Sequence, residues 1–182
     1  DRNISDLKAQ LAACTRGAEV LAQTAREYGA KVLEAYMGHV LANAEESVRR
    51  LLDRLDDGEF GYEMDNGAHV RVKMSIDKAA RSATFDFTGT SEQLPDNFNA
   101  PYSIVRAASL YVVRTLIDDA IPMNDGCLRP IELIVPEGSM LNPRYPAAVV
   151  AGNVETSQVA TDALFAATGR LGDLPLPRLE QD

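Results

Sequence analysis

In Asp56-Asp57-Gly58-Glu59-Phe60-Gly61-Tyr62-Glu63-Met64-Asp65-Asn66-Gly67-Ala68-His69-Val70-Arg71-Val72-Lys73-Met74-Ser75-Ile76 the spacing of apolar residues changes from helical to extended. Before Gly58 they recur every three or four positions; after it they recur every second. Phe60, Tyr62 and Met64 alternate with polar or small neighbours, and so do Val70, Val72, Met74 and Ile76. Successive side chains of a strand point to opposite faces, so each segment reads as a strand with one apolar face. Asn66-Gly67 between them is a strong hairpin signal, because both residues tolerate positive φ. A turn at Asp77-Lys78-Ala79-Ala80 leads to a third strand through Phe85 and Phe87. The prediction is an antiparallel meander.

Towards the N-terminus, Ile4, Leu7, Leu11, Cys14, Ala18, Leu21, Ala25 and Tyr28 form one helical stripe, and Leu33, Met37, Leu41, Ala44, Val48, Leu51 and Leu55 form a second. Asn3 or Ser5 can cap the first helix, and Gly29 can end or bend it. An antiparallel helical hairpin over residues 3–56 is expected, with a single bent helix as the alternative. Cys14 lies on the stripe and reads as a buried small hydrophobe. Glu45 with Arg49 and Glu46 with Arg50 are i,i+4 pairs on the outer face.

Towards the C-terminus, Thr88 to Pro101 is a long loop rich in Gly, Ser, Thr, Asn and Pro, and that length hints at function. Pro101 suits the start of a helix to about Leu116. Ile121-Pro122 and Asn124-Asp125-Gly126 break the chain, and Ile131, Leu133 and Val135 give a short strand. An irregular stretch to Gly152 leads into a last helix, capped by Asn153 or Thr156 and ended by Gly169. The fold class is α+β: a helical hairpin (3–56), an α+β domain with an antiparallel sheet (58–170) and an irregular tail (171–182).

The net charge of −9 argues against a nucleic-acid surface, which needs clustered Lys and Arg. No apolar run approaches the roughly 18 residues of a membrane span, and a cytoplasmic location is expected. The chain opens without Met or a leader pattern, as at a domain boundary. Cys14 and Cys127 are too isolated for a disulfide framework. Walker, G-x-S-x-G, H-E-x-x-H and C-x-x-C motifs are absent. His39 and His69 read as solvated or core-edge residues, and Asp56, Asp57 and Asp65 as turn formers.

Two polar loops remain. Thr88-Gly89-Thr90-Ser91-Glu92-Gln93, continuing to Asn97-Phe98-Asn99, can present N–H and O–H groups to an anionic or amide-bearing ligand, or simply bond within itself. Gly152-Asn153-Val154-Glu155-Thr156-Ser157-Gln158 opens a helix, where unpaired N–H groups favour anions. Glu155 opposes that reading, because its charge repels an anion.

Together these segments resemble the hydantoinase B family. The resemblance runs through Asp6-Leu7-Lys8-Ala9-Gln10-Leu11-Ala12-Ala13, Asp86-Phe87-Thr88-Gly89-Thr90-Ser91-Glu92-Gln93 and Ile121-Pro122-Met123-Asn124-Asp125-Gly126-Cys127-Leu128-Arg129-Pro130-Ile131. It continues in Pro136-Glu137-Gly138-Ser139-Met140-Leu141-Asn142-Pro143, Pro146-Ala147-Ala148-Val149 and Ala151-Gly152-Asn153-Val154-Glu155-Thr156-Ser157-Gln158. It implies an internal portion of a B-type subunit in an ATP-dependent hydrolase opening cyclic amides of the 5-oxoproline or hydantoin class. An ATP-dependent ketone carboxylase alpha subunit and a non-catalytic assembly module are the alternatives. An A-type partner would bind ATP and phosphorylate the substrate, and a divalent metal would sit elsewhere in the parent chain. No metal ligand and no catalytic base is therefore assigned here. Thr90, Ser91, Gln93, Asn124, Arg129, Asn153 and Ser157 are the expected substrate-facing or site-supporting residues. Arg129 can pair with a carboxylate or phosphate, while Pro130 beside it can equally mark a turn.

Overall fold

The computed structural model describes residues 2–169. In chain order the elements are α1 (Arg2–Tyr28), α2 (Ala30–Leu52), β1 (Gly58–Glu63), β2 (His69–Asp77), β3 (Ser82–Asp86), α3 (Tyr102–Thr115), β4 (Ile131–Ile134) and α4 (Glu155–Ala167). Short 3-10 turns at Asp125–Leu128 and Ala151–Asn153 precede β4 and α4. The α+β class is as expected, and the irregular tail expected over 171–182 lies outside the described residues.

The period-two stretch folds as the hairpin β1–β2. Phe60 faces Val72 and Tyr62 faces Val70 across the strands. The loop is Asp65-Asn66-Gly67, closed by Met64 N–H donating to Ala68 O at 2.8 Å, with Gly67 at φ +78. A loop shorter by one residue would slide Tyr62 opposite Arg71 and spoil both apolar faces, so the alternation sets the loop length. Val70, Val72 and Met74 are buried, as are Phe85 and Phe87.

The sheet order is β1-β2-β3-β4. The first three strands are the expected antiparallel meander, but β4 joins β3 in parallel, so the sheet is mixed and not wholly antiparallel. The reason is the connection: α3 lies between β3 and β4 in the chain, and a helical crossover returns the chain in the same direction. Helix α4 packs across β1 and β2, and α3 packs on α4. At Gly58 β1 passes so close to the end of α4 that a Cβ would lie 2.0 Å from the Ala167 carbonyl oxygen. Ala44, Val48, Leu51 and Leu52 bring the last turns of α2 into the same core.

The β2–β3 turn is tied to α2 by cations. Lys78 Nζ donates to the carbonyls of Leu52 (3.1 Å), Asp53 (3.0 Å) and Leu55, closing the end of α2 where the carbonyls lack helical partners. Arg49 donates to the Ala80 and Arg81 carbonyls. Arg81, at φ 52, pairs with Glu46 and Asp53.

Residues Asp1–Ala42 form a separate compact unit. Both N-terminal helices form where expected, but their stripes are not buried on each other. No residue of α1 is buried, and Cys14 is exposed, contrary to the sequence reading. Gly29 alone links the helices, at φ +89. Its N–H reaches Ala25 O at 2.9 Å and its carbonyl accepts from Leu33 N–H at 3.1 Å. The helical ladder thus continues through the bend, and one residue is too short a link for an antiparallel return. Asn3 and Ser5 lie inside α1, so neither is its cap.

Candidate functional site

The loop after β3 turns back immediately. Thr88 N–H donates to Asp86 Oδ1 at 2.8 Å, and Gly89 takes φ +91. The next two residues then run beside β2. Thr90 Oγ1 accepts from Arg71 N–H at 3.0 Å and donates to Arg71 O at 3.2 Å. Ser91 N–H donates to His69 O at 2.9 Å, and its hydroxyl accepts from His69 N–H at 2.8 Å. Two hydroxyls thus continue the β2 ladder beyond the last true strand pair, Lys73 with Asp86.

The same loop is bonded on its other side to residues 138–151. Met140 N–H donates to Ser91 O, Gln93 N–H to Gly138 O, Ala100 N–H to Met140 O and Ala151 N–H to Asn97 O, all at 3.0 Å or less. Gln93 Oε1 accepts from Arg144 N–H at 2.7 Å. Asn99, fully buried, accepts from Leu94 N–H and donates to the carbonyls of Leu94, Asp96 and Ala148. Thr156 reaches back from α4 to donate to Phe98 O at 2.5 Å.

Thr90, Ser91 and Gln93 therefore share one hydrogen-bonded loop layer with the start of α4. There Asn153 is exposed and Ser157, half-buried, donates to Val154 O at 3.1 Å. The helix is not capped as expected: its N-cap is Val154, with no side-chain cap bond, because Thr156 is turned to Phe98 and Asn153 closes the preceding 3-10 turn. Asn124 and Arg129 stand apart from this layer. Asn124 Oδ1 accepts from Gly126 N–H at 2.9 Å and its amide donates to Pro122 O. Arg129 makes one contact, at 3.4 Å, with Glu45.

Beside the first turn of α4 lies a cleft of about 440 Å³ lined by Tyr62, Met64, Asp65, Asn66, Phe98, Glu155 and Val159. Asp65 and Glu155 make it acidic. It suits a neutral amide or a cation and repels an anion, which turns the sequence-level objection at Glu155 into a property of the site. Among the described residues no three His, Cys, Asp or Glu side chains come together as a metal site, and no helix is long and apolar enough to cross a membrane.

The i,i+4 pairs on α2 are present, Glu45 with Arg49 at 2.7 Å and Glu46 with Arg50 at 3.2 Å. Each acid has a second, distant partner that local spacing does not reveal. The Arg49 hydrogen bond, helped by Arg129, holds the Glu45 carboxyl below the ordinary glutamate range. Arg81, helped by Arg50, does the same for Glu46. A carboxyl whose pKa falls on folding gives stability that is complete above its unfolded pKa and is lost as pH drops through the folded one. Unfolding midpoints measured from pH 6 to pH 3 are expected to fall less steeply for Glu46→Gln than for the wild type below about pH 4.3. Parallel curves would show that Glu46 adds nothing to acid sensitivity.

What the fold defines is an α+β module whose polar residues are concentrated in a bonded layer of loops beside a mixed sheet. The profile of the hydantoinase B/oxoprolinase family matches residues 1–175, and the chain belongs to that family. It is 41% identical over 179 residues to 5-oxoprolinase of Dictyostelium discoideum, spanning 92% of this chain and 14% of that protein. It is 41% identical over 182 residues to 5-oxoprolinase 1 of Arabidopsis thaliana, spanning 91% and 14%. The chain thus spans about one-seventh of the length of these relatives. Among solved structures, the ATP-dependent caprolactamase from Pseudomonas jessenii shares the fold with a TM-score of 0.73 at 21% identity, over 92% of this chain and 30% of that one. Acetone carboxylase in its nucleotide-free form gives 0.66 at 18% identity, over 84% and 23%.

Proposed function

We propose that this chain forms part of the B-type portion of an ATP-dependent hydrolase that opens a cyclic amide, with 5-oxoproline the ring opened. The supporting observation is the 41% identity to proteins named 5-oxoprolinase across nearly the whole chain. The likeness to acetone carboxylase, at 18% identity, is one of fold and does not favour the carboxylase alternative.

The chemistry explains the division of labour. A lactam resists water because nitrogen shares its lone pair with the carbonyl. An A-type, ATP-binding partner would transfer a phosphoryl group to the carbonyl oxygen, removing that resonance. Water then adds to the carbon, the C–N bond breaks, the nitrogen takes a proton and leaves as an amine, and phosphate departs. The B-type portion has to hold an anionic tetrahedral species, a task for fixed N–H and amide donors. On this reading Thr90, Ser91 and Gln93 fix the loop layer. Asn153 and Ser157 face the substrate from the start of α4, and Asn124 and Arg129 support the site from outside that layer. A metal, if used, would be held by other parts of the parent protein. We place the enzyme in the cytoplasm, where ATP is available.

The test is an assay of the complete protein with its A-type partner. ATP-dependent release of glutamate from 5-oxoproline is expected, and Gln93→Ala and Asn153→Ala should each lower turnover at least tenfold, about 1.4 kcal/mol in barrier. Bicarbonate-dependent turnover of a ketone with no cyclic amide opened would overturn the hydrolase reading. Wild-type rates in both variants would leave the loops as assembly features only.

A further inference from the structure

The outward face of the β1–β2 hairpin carries three basic side chains in a row, His69, Arg71 and Lys73, all exposed. Directly opposite them on β1 stand Glu63, Gly61 and Glu59. Opposed side chains on one face interact, and unlike charges there are favourable. His69 and Lys73 each have an acid across the strand, and Lys73 has Asp86 on its other side as well. Arg71 has glycine. On its other side runs Thr90, whose hydroxyl is occupied by the Arg71 backbone.

A second glycine completes the gap. A Cβ on Gly89 would stand 3.2 Å from Arg71 Cδ, and a Cβ on Gly61 would stand 3.7 Å from Arg71 Cγ and 3.9 Å from Nε. The stem of Arg71 thus lies between two residues that lack side chains. Its guanidinium makes no hydrogen bond or ion pair among the described residues. Glycine inside a strand weakens it and often marks close approach of a ligand or another backbone. A guanidinium offers a planar fork of N–H donors that matches a carboxylate in bidentate fashion.

We infer that Arg71 binds the carboxylate of the substrate, in a slot kept open by Gly61 and Gly89. The inference rests on the proposed function for the identity of the ring. 5-Oxoproline has a lactam that reacts and a carboxylate that does not, and gripping the second orients the first. The slot is part of the same loop layer, since Gly89 and Thr90 are its wall.

Arginine-selective labelling by phenylglyoxal, followed by peptide mass spectrometry, reads this site in the complete enzyme without ATP or turnover. Arg71 is expected to react in the free enzyme. Saturating 5-oxoproline should slow its labelling at least tenfold, while 2-pyrrolidinone, the same ring without the carboxylate, should not protect it. Arg71→Gln should raise KM for 5-oxoproline at least tenfold and leave kcat within about twofold. An Arg71 that does not label in the free enzyme would mean that the protein's own groups fill the slot, and would overturn the proposal. So would protection by inorganic phosphate but not 5-oxoproline, or equal protection by both rings, or an unchanged KM. Because labelling is read without turnover, a lack of hydrolysis would count against the proposed function alone.

Discussion

Gly152→Ala is expected to destabilise the fold by about 3 kcal/mol or more, the upper part of the range for forcing extra atoms into a packed interior. A Cβ there would lie 2.1 Å from the Asn99 carbonyl oxygen and 2.8 Å from Ala100 Cα. Both are backbone atoms, so no rotamer change relieves the clash. Nor is that backbone free to move, because Ala100 is bonded to Met140 and Ala151 to Asn97. The strain would spread through the loop layer, and activity of the complete enzyme should fall with stability. Urea unfolding of wild type and variant measures the first effect. Gly17→Ala, on exposed α1 with nothing within 4 Å of the added carbon, should leave the main transition in place. A Gly152→Ala midpoint equal to that of the wild type would mean that the loops are not packed as described.

That contact was not visible in the sequence, where Gly152 looked like the mouth of an anion site. Local features were legible. Phe60, Tyr62, Val70, Val72 and Met74 announced the hairpin because strand periodicity is written in consecutive residues. Glu45 and Arg49 announced an ion pair because helical geometry fixes which residues meet. Features that depend on distant partners were not legible. The parallel docking of β4 depends on where the crossover helix returns the chain, and Ile131 to Ile134 carry no mark of it. Arg129 was expected to meet a ligand and meets Glu45. Thr90 and Ser91 stood out by composition, but only the fold shows their hydroxyls completing the β2 ladder. The stripe on α1 was read correctly as a helix and wrongly as buried, since periodicity says which face is apolar and not what covers it. The gap opposite Arg71 could have been found earlier: once apolar faces are matched across the hairpin, Gly61 must fall opposite it.

Asn99 makes the strongest case that the loop layer is a built structure. Its amide fills a buried position and bonds four backbone groups: Leu94 N–H, and the carbonyls of Leu94, Asp96 and Ala148. Asn99→Leu keeps the volume and removes every bond. A buried polar group left without a partner costs about 1–3 kcal/mol, so a loss of at least about 3 kcal/mol is expected even if relaxation rescues some of the four. Asn99→Asp separates hydrogen bonding from shape. Its carboxyl can still accept from Leu94 N–H, but when ionised it has no proton to offer the three carbonyls and sets a buried negative charge against them. Both effects raise its pKa on folding. The variant's deficit relative to wild type should therefore grow as pH rises past the ordinary carboxylate range and shrink in acid, where the protonated group regains one donor. Unfolding midpoints of the two proteins compared from pH 3.5 to pH 7 decide the matter. A deficit that does not change with pH would mean that the Asn99 side chain is solvated, and that the loops on either side of it are held by backbone bonds alone.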